Sequence, residues 1–173
     1  VESQLNKYLA ESNLIKHILE SGKEIDDEQF AQLSEYMQTQ EGVLEAHEIA
    51  KDGIVSQVYP LKGNEMALGL DMLENHARKK EANLAKKSGQ YTIAGPYELV
   101  QGGTGALLFD PIYRKSSDGE KKFWGFSVLV MNWEKFIDEI ELNKLEEAGY
   151  SYKIWKKDSE SREKIIIAQS EQP

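Results

Sequence analysis

The sequence predicts an α+β domain built on a mostly antiparallel sheet of about five strands, with helices before the sheet and inside it. Three observations carry this prediction. Apolar positions recur at helical spacing from Val1 to about residue 41, the pattern switches to short β-type runs joined by Asp52-Gly53, and three more β-type runs follow a helical stretch between residues 91 and 131.

Each element has a local justification. Val1, Leu5, Tyr8, Ser12, Ile15 and Leu19 follow a four-three spacing and form one stripe on a helix with a single polar break. That stripe can pack on its own domain or on a second copy, and Gly22 supplies a stop. Asp26 or Asp27 caps a second helix that buries Phe30, Leu33 and Met37 and ends at Gly42. "VLEAHEIA" and "IVSQVYPL" flank the turn "KDG" as a hairpin, with His47 a surface or hydrogen-bonded strand residue rather than a ligand.

A third helix is expected over residues 75 to 87, capped by Asn75 and closed by Ser88-Gly89. Its four cations, Arg78, Lys79, Lys80 and Lys86, read as a solvated face. Three runs follow: "YTIAGPYEL", "GALLFDPIYRK" and "KFWGFSVLVM", the last two joined by the turn "SSDGE". Residues 133 to 145 return to helix with Trp133, Phe136, Ile137 and Ile140 on one side, and "YSYKIWKK" and "EKIIIAQ" form a terminal hairpin around "DSESR". Three regions result: a helix over 1–24, the main domain over 25–145, and an extension over 146–173 leading to the next element.

Composition limits the function classes. A formal charge of −9 and a pI near 4.9 oppose binding to nucleic acid or an anionic membrane surface. There is no cysteine, and His17, His47 and His76 are about thirty residues apart, so no thiolate or local histidine metal site is expected and no cofactor is implied. The longest apolar run, Phe123 to Met131, is far short of a bilayer span. The start at Val1 reads as a segment cut from a larger protein.

The stretch "VQGGTGA" raises the possibility of a phosphate-cradling loop. Such loops deliver phosphate to a helix N-terminus, usually with Lys followed by Ser or Thr. Here Gly105 runs into "ALLFDPIY", which has no helix cap and contains Pro111, so Gly102-Gly103 reads as the positive-φ part of a hairpin loop. No Gly-x-Ser-x-Gly elbow or His-Glu-x-x-His pair occurs, and Asp110 and Asp71 read as turn or cap residues. No catalytic residue is assigned, and residue chemistry points to a binding module.

"YPLKGNEMALGLDML", "NHARKKEANLAKKSGQYTIAGPYELVQGGTGALLFDPIYR" and "FWGFSVLVMNWEKF" together resemble the CHASE domain, the extracytoplasmic sensory module of membrane-bound histidine kinases and nucleotide cyclases. The resemblance covers about residues 25 to 142 and is carried in order by Leu68 to Asp71, the basic helix from Asn75 to Gly89, Gly95-Pro96, Pro111 to Tyr113, and Trp124 to Phe126. It implies a PAS-like antiparallel sheet with flanking helices and a long N-terminal helix. It further implies a small ligand on the concave sheet face, a homodimer, a transmembrane helix on each side of the domain, and a cytoplasmic output such as a histidine kinase, diguanylate cyclase or phosphodiesterase. Ligand binding is then expected to shift the 1–20 helix against its dimer mate.

In the plant cytokinin-receptor members a carboxylate before the Leu-Asp segment and a threonine before the x-Pro step contact the purine. The matching positions here are Lys62 and Ala94, which departs from the hormone pattern. The resemblance therefore implies a small organic anion meeting Lys62 in a pocket lined by Tyr59, Tyr91, Ala94, Leu108 and Phe126. The readings that compete with a sensor are a cytoplasmic PAS-type partner-binding module and a small transferase.

Overall fold

The computed structural model of the chain describes residues 1–37, 42–99, 102–158 and 160–171. Five strands form one sheet: β1 (Leu44–Lys51), β2 (Ile54–Tyr59), β3 (Thr92–Glu98), β4 (Thr104–Lys115) and β5 (Lys121–Asn132), in the order β2-β1-β5-β4-β3. All four pairings are antiparallel. The α+β, PAS-like architecture with a long N-terminal helix is what the structure has. The first and last strands of the chain's sheet segment meet at its centre, and the crossover from β2 to β3 must return across one face.

Alternation along the strands sends side chains to two separate apolar layers. Ile49, Ala106, Leu108, Ile112, Leu129 and Met131 pack against α1 (Glu2–Glu20), α2 (Asp27–Glu35) and α4 (Trp133–Glu139). Ala46, Ala50, Leu107, Phe109, Phe126, Val128 and Val130 pack beneath the crossover, which contributes Ala67 and Met72 from an irregular segment and Ala82 and Ala85 from α3 (Lys79–Ser88). Both faces of the sheet are therefore buried.

The α1 stripe packs intramolecularly: Leu5, Tyr8, Ser12, Ile15 and Leu19 are buried, while Val1 is exposed. Polar ties fix the helix on the sheet. The Tyr8 hydroxyl donates to Glu139 Oε2 (2.6 Å), Lys16 Nζ donates to Asp110 Oδ1 (2.8 Å), and Arg114 Nε donates to the Leu19 carbonyl (2.7 Å). Asp110 is thus a buried mid-strand partner of Lys16, not a turn or cap residue, because β4 continues straight through Pro111. Asp71 does act in a turn, accepting from the Leu73 N–H (3.0 Å).

α2 opens with a capping box between Asp26 and Gln29 and ends at Glu35, before Gly42; residues 38–41 lie outside the described residues. Asp52 and Gly53 adopt φ of 56° and 86°, the left-handed pair a two-residue hairpin requires. The helix expected over 133–145 is instead α4 and α5 (Leu142–Glu147), broken where Glu141 takes φ 59°. β6 (Lys153–Lys157) and β7 (Lys164–Gln169) pair as the terminal hairpin; within its turn, residue 159 lies outside the described residues.

The glycine stretch is the turn between neighbouring antiparallel strands β3 and β4. Gly102 and Gly103 have φ of 101° and 78°, and Gly102 N–H donates to the Leu99 carbonyl (3.0 Å). Residues 100 and 101 of "VQGGTGA" lie outside the described residues. The loop feeds a strand, so it offers no helix N-terminus to a phosphate.

Candidate ligand pocket

Two buried charged side chains and the buried hydroxyl of a half-buried tyrosine sit on the crossover face of the sheet. Glu48 lies in β1 between Ala46 and Ala50 and is 1% exposed. Tyr97 reaches in from β3, after the irregularity between Ala94 and Tyr97. Arg78 is the residue before α3 and is 5% exposed. Glu48 Oε1, Arg78 Nε and the Tyr97 hydroxyl have no hydrogen-bond partner.

The local fold explains how a cation enters this layer. Asn75 does not cap α3 directly; its Oδ1 accepts from the Ala77 N–H (3.1 Å) and Arg78 Nη1 (3.2 Å), so residues 75–78 form a turn and the helix starts four residues later. Arg78 precedes the buried Ala82 and Ala85 by four and seven positions, which puts all three on the inward side. The expectation that Arg78 belongs to a solvated basic face is corrected here. Lys79 and Lys86 are exposed, but the small alanines leave room above the sheet for the long Arg78 side chain.

Arg78 stacks on the Tyr97 ring, its guanidinium carbon 5.1 Å from the ring centre. Burial raises the Glu48 pKa to about 7, partly opposed by the Arg78 charge. Burial likewise pushes the Tyr97 phenol well above its usual range. Glu48, Arg78, Ala67, Leu70, Met72, Leu99 and Leu107 line a cavity of about 10 Å³, room for about one water. The cavity thus sets a carboxyl poised near neutrality and a permanent cation in apolar walls, with the Tyr97 phenol ring beside the Arg78 guanidinium.

His47, one residue from Glu48, points to the opposite face. It bridges Ser34 Oγ (3.2 Å) and Ser127 Oγ (2.8 Å), and burial lowers its pKa to about 3, so it is a neutral, hydrogen-bonded strand residue. Among the described residues no cluster of three potential metal ligands occurs.

The residues expected to line the pocket divide between the two layers. Ala94 and Phe126 are fully buried on the Glu48 face. Leu108 is fully buried in the helix-side layer, against which Tyr59 and Tyr91 pack. Lys62 is exposed in the turn after β2. A larger groove of about 550 Å³ runs from the start of α1 past Tyr91 and Trp133 to Trp155 of the terminal hairpin. Its walls join Leu5, Ile93, Trp133 and Trp155 to Lys156, Asp158 and Arg162, and among the described residues none of those lining it has a buried polar side-chain atom without a partner.

Comparison with known proteins follows the same lines. No curated protein matches the chain. Among solved structures, an extracellular ligand binding receptor from Desulfohalobium retbaense DSM5692 superposes with a TM-score of 0.59 at 16% identity, over 88% of this chain and 27% of that one. The chain therefore spans about a quarter of that receptor's length, and at this identity the likeness concerns the fold. The CHASE domain profile matches residues 24–166, the whole five-stranded sheet with α2 to α5 and β6, and leaves out α1. The chain belongs to the CHASE domain family.

Proposed function

We propose that this chain is the extracytoplasmic ligand-sensing domain of a membrane-bound signalling protein, and that its ligand enters at the cavity lined by Glu48 and Arg78. One observation carries the site: three buried polar atoms on one face of the sheet lack partners, in a layer otherwise well packed. Buried polar groups are ordinarily hydrogen-bonded, so a convergent set of orphans marks a place that a ligand or water completes. Membership of a sensory family and a likeness in fold to an extracellular ligand binding receptor support the extracytoplasmic sensor reading.

In this reading the cation that meets the ligand is Arg78; Ala94 and Phe126 belong to the same apolar layer without lining the cavity, and Lys62, Tyr59, Tyr91 and Leu108 lie outside it. The output is a kinase, diguanylate cyclase or phosphodiesterase on the far side of the membrane, reached through helices beyond this segment. No helix among the described residues is long and apolar enough to cross a membrane. A homodimer would use the outer side of α1, where Leu14 is exposed, because the stripe itself is spent on the sheet.

Two experiments test the proposal. Reporter fusions on either side of this segment in the full-length protein place it outside the cytoplasm if the reading holds, and a cytoplasmic position contradicts it. A thermal-shift screen of small polar metabolites on the isolated chain yields a stabilising ligand whose effect Arg78→Gln removes; a ligand indifferent to Arg78 contradicts the site.

A further inference from the structure

The terminal hairpin stands off from the domain it follows. Ile154 of β6 and Ile167 of β7 are half-buried and line the groove of about 550 Å³, yet among the described residues no apolar side chain of the hairpin belongs to either core layer or packs against one. Across the groove the domain presents Tyr91, Ile93, Trp133 and Ile137, each half-buried. Two polar ties hold the walls in place: Lys156 Nζ donates to the Gly95 carbonyl (2.7 Å), and Lys80 Nζ donates to both oxygens of Asp158 (2.9 and 2.8 Å).

Apolar walls that face each other across a gap forgo the dispersion contacts of a packed interior, and a molecule that fills the gap gains them from both sides. We propose that this groove is a second binding site, separate from the cavity lined by Glu48 and Arg78, and that it takes a small aromatic carboxylate: the ring lies between the hairpin and the Tyr91–Trp133 wall, and the carboxylate accepts from Lys156.

Size admits such a molecule. Small-molecule sites run from roughly 300 to 1,000 Å³, and this is a groove rather than a closed cavity, so no covering segment has to move for a ligand to enter. Tyr91, Trp133 and Trp155 on its walls suit a flat ring, which packs against aromatic faces and edges.

Charge selects the anion. Lys156 is half-buried on the groove wall, uses one of its three N–H groups on Gly95, and among the described ion pairs has no carboxylate. The acids on the same walls are placed otherwise: Asp158 is bound to Lys80, the charge of Glu81 also acts on Lys80, and Glu2 is in solvent. Lys157 and Arg162, both exposed, add positive charge at the rim. A carboxylate supplies Lys156 with a charge-assisted acceptor, whereas a neutral ring leaves the ammonium against apolar surface and an amine repels it.

The test is calorimetric titration of the chain with naphthalene-2-carboxylate, its neutral amide, and the cationic 2-naphthylmethylamine. The carboxylate is expected to bind, and the amide and the amine to bind at least about tenfold more weakly. Lys156→Gln brings the carboxylate down to the level of the amide. Ile154→Trp, which keeps Lys156 and its tie to Gly95 but fills the groove from the hairpin side, weakens the carboxylate at least about tenfold. Arg78→Gln leaves its binding unchanged, and the bound carboxylate slows amide exchange across residues 153–169. No binding of naphthalene-2-carboxylate, or equal binding of the three probes, overturns the proposal. Binding lost in Arg78→Gln and kept in Lys156→Gln and Ile154→Trp also overturns it, and places the probe in the Glu48 cavity instead.

Discussion

The guanidinium carbon of Arg78 lies 5.1 Å from the centre of the Tyr97 ring, so a residue at the start of α3 is held against a side chain of the edge strand β3. The stack orients the guanidinium fork and joins the crossover to the sheet at the point where the cavity forms. Its stabilisation is modest against the cost of burying the charge. Replacing Glu48 and Arg78 together by methionine is therefore expected to raise stability by about 1–4 kcal/mol in denaturant unfolding while abolishing ligand binding. Loss of stability in the double variant would show that the two charges are already well satisfied.

Neighbouring residues on opposite faces give opposing pH dependences. Glu48 has its pKa raised from 4.5 to about 7, so the folded state holds a proton that the unfolded chain has lost, and its contribution falls as pH rises from about 4.5 to 7. His47 has its pKa lowered from 6.5 to about 3, so the unfolded chain holds the extra proton, and its contribution falls as pH drops from about 6.5 to 3. Between about pH 4.5 and 6.5 the two slopes cancel. Glu48→Gln is expected to unmask a rise in stability with pH of about 1.4 kcal/mol per unit in that window, read from urea melts. An unchanged profile in the variant would contradict the burial of Glu48 as an acid.

Gly125 of β5 pairs with Lys51 of β1. A Cβ there would land on the Ala50 carbonyl and within 3.0 Å of Lys51 Cα, both backbone atoms that cannot rotate away. Gly125→Ala is expected to cost about 1–3 kcal/mol, measured by chemical denaturation. A neutral result would mean that the central strand pair is free to shift.

Much of this fold was legible in the sequence. Asp52-Gly53 fixes the first hairpin, the four-three stripe from Leu5 to Leu19 fixes α1, and the apolar runs after residue 91 fix β3 to β5, because each signal is local. The pocket was less legible. Glu48 alternates with Ala46 and Ala50 like any outward strand residue, and only the β2-to-β3 crossover buries that face. Arg78 carries a readable hint in its spacing to Ala82 and Ala85, but four cations in one helix mask it. Lys62 drew attention through a family position, and its turn leaves it in solvent. Glu141 breaks the fourth helix by a backbone conformation that no motif announces.

The terminal hairpin is latched to the crossover. Lys80 Nζ donates to both oxygens of Asp158 (2.9 and 2.8 Å), and Lys156 Nζ donates to the Gly95 carbonyl (2.7 Å). Lys80 lies in α3, two residues from Arg78. Asp158→Ala is expected to speed amide exchange across residues 153–169 while β4 and β5 keep their protection, because the hairpin pairs with itself and not with the main sheet. Unchanged exchange in the hairpin would remove the latch from any account of signal output.

The most direct test is calorimetric titration of wild type, Arg78→Gln and Lys62→Ala with the ligand that the metabolite screen yields. Binding unchanged by Lys62→Ala and weakened at least about tenfold by Arg78→Gln is the predicted result. Binding that survives Arg78→Gln and is lost in Lys62→Ala would place the sensory site elsewhere and contradict the cavity described above.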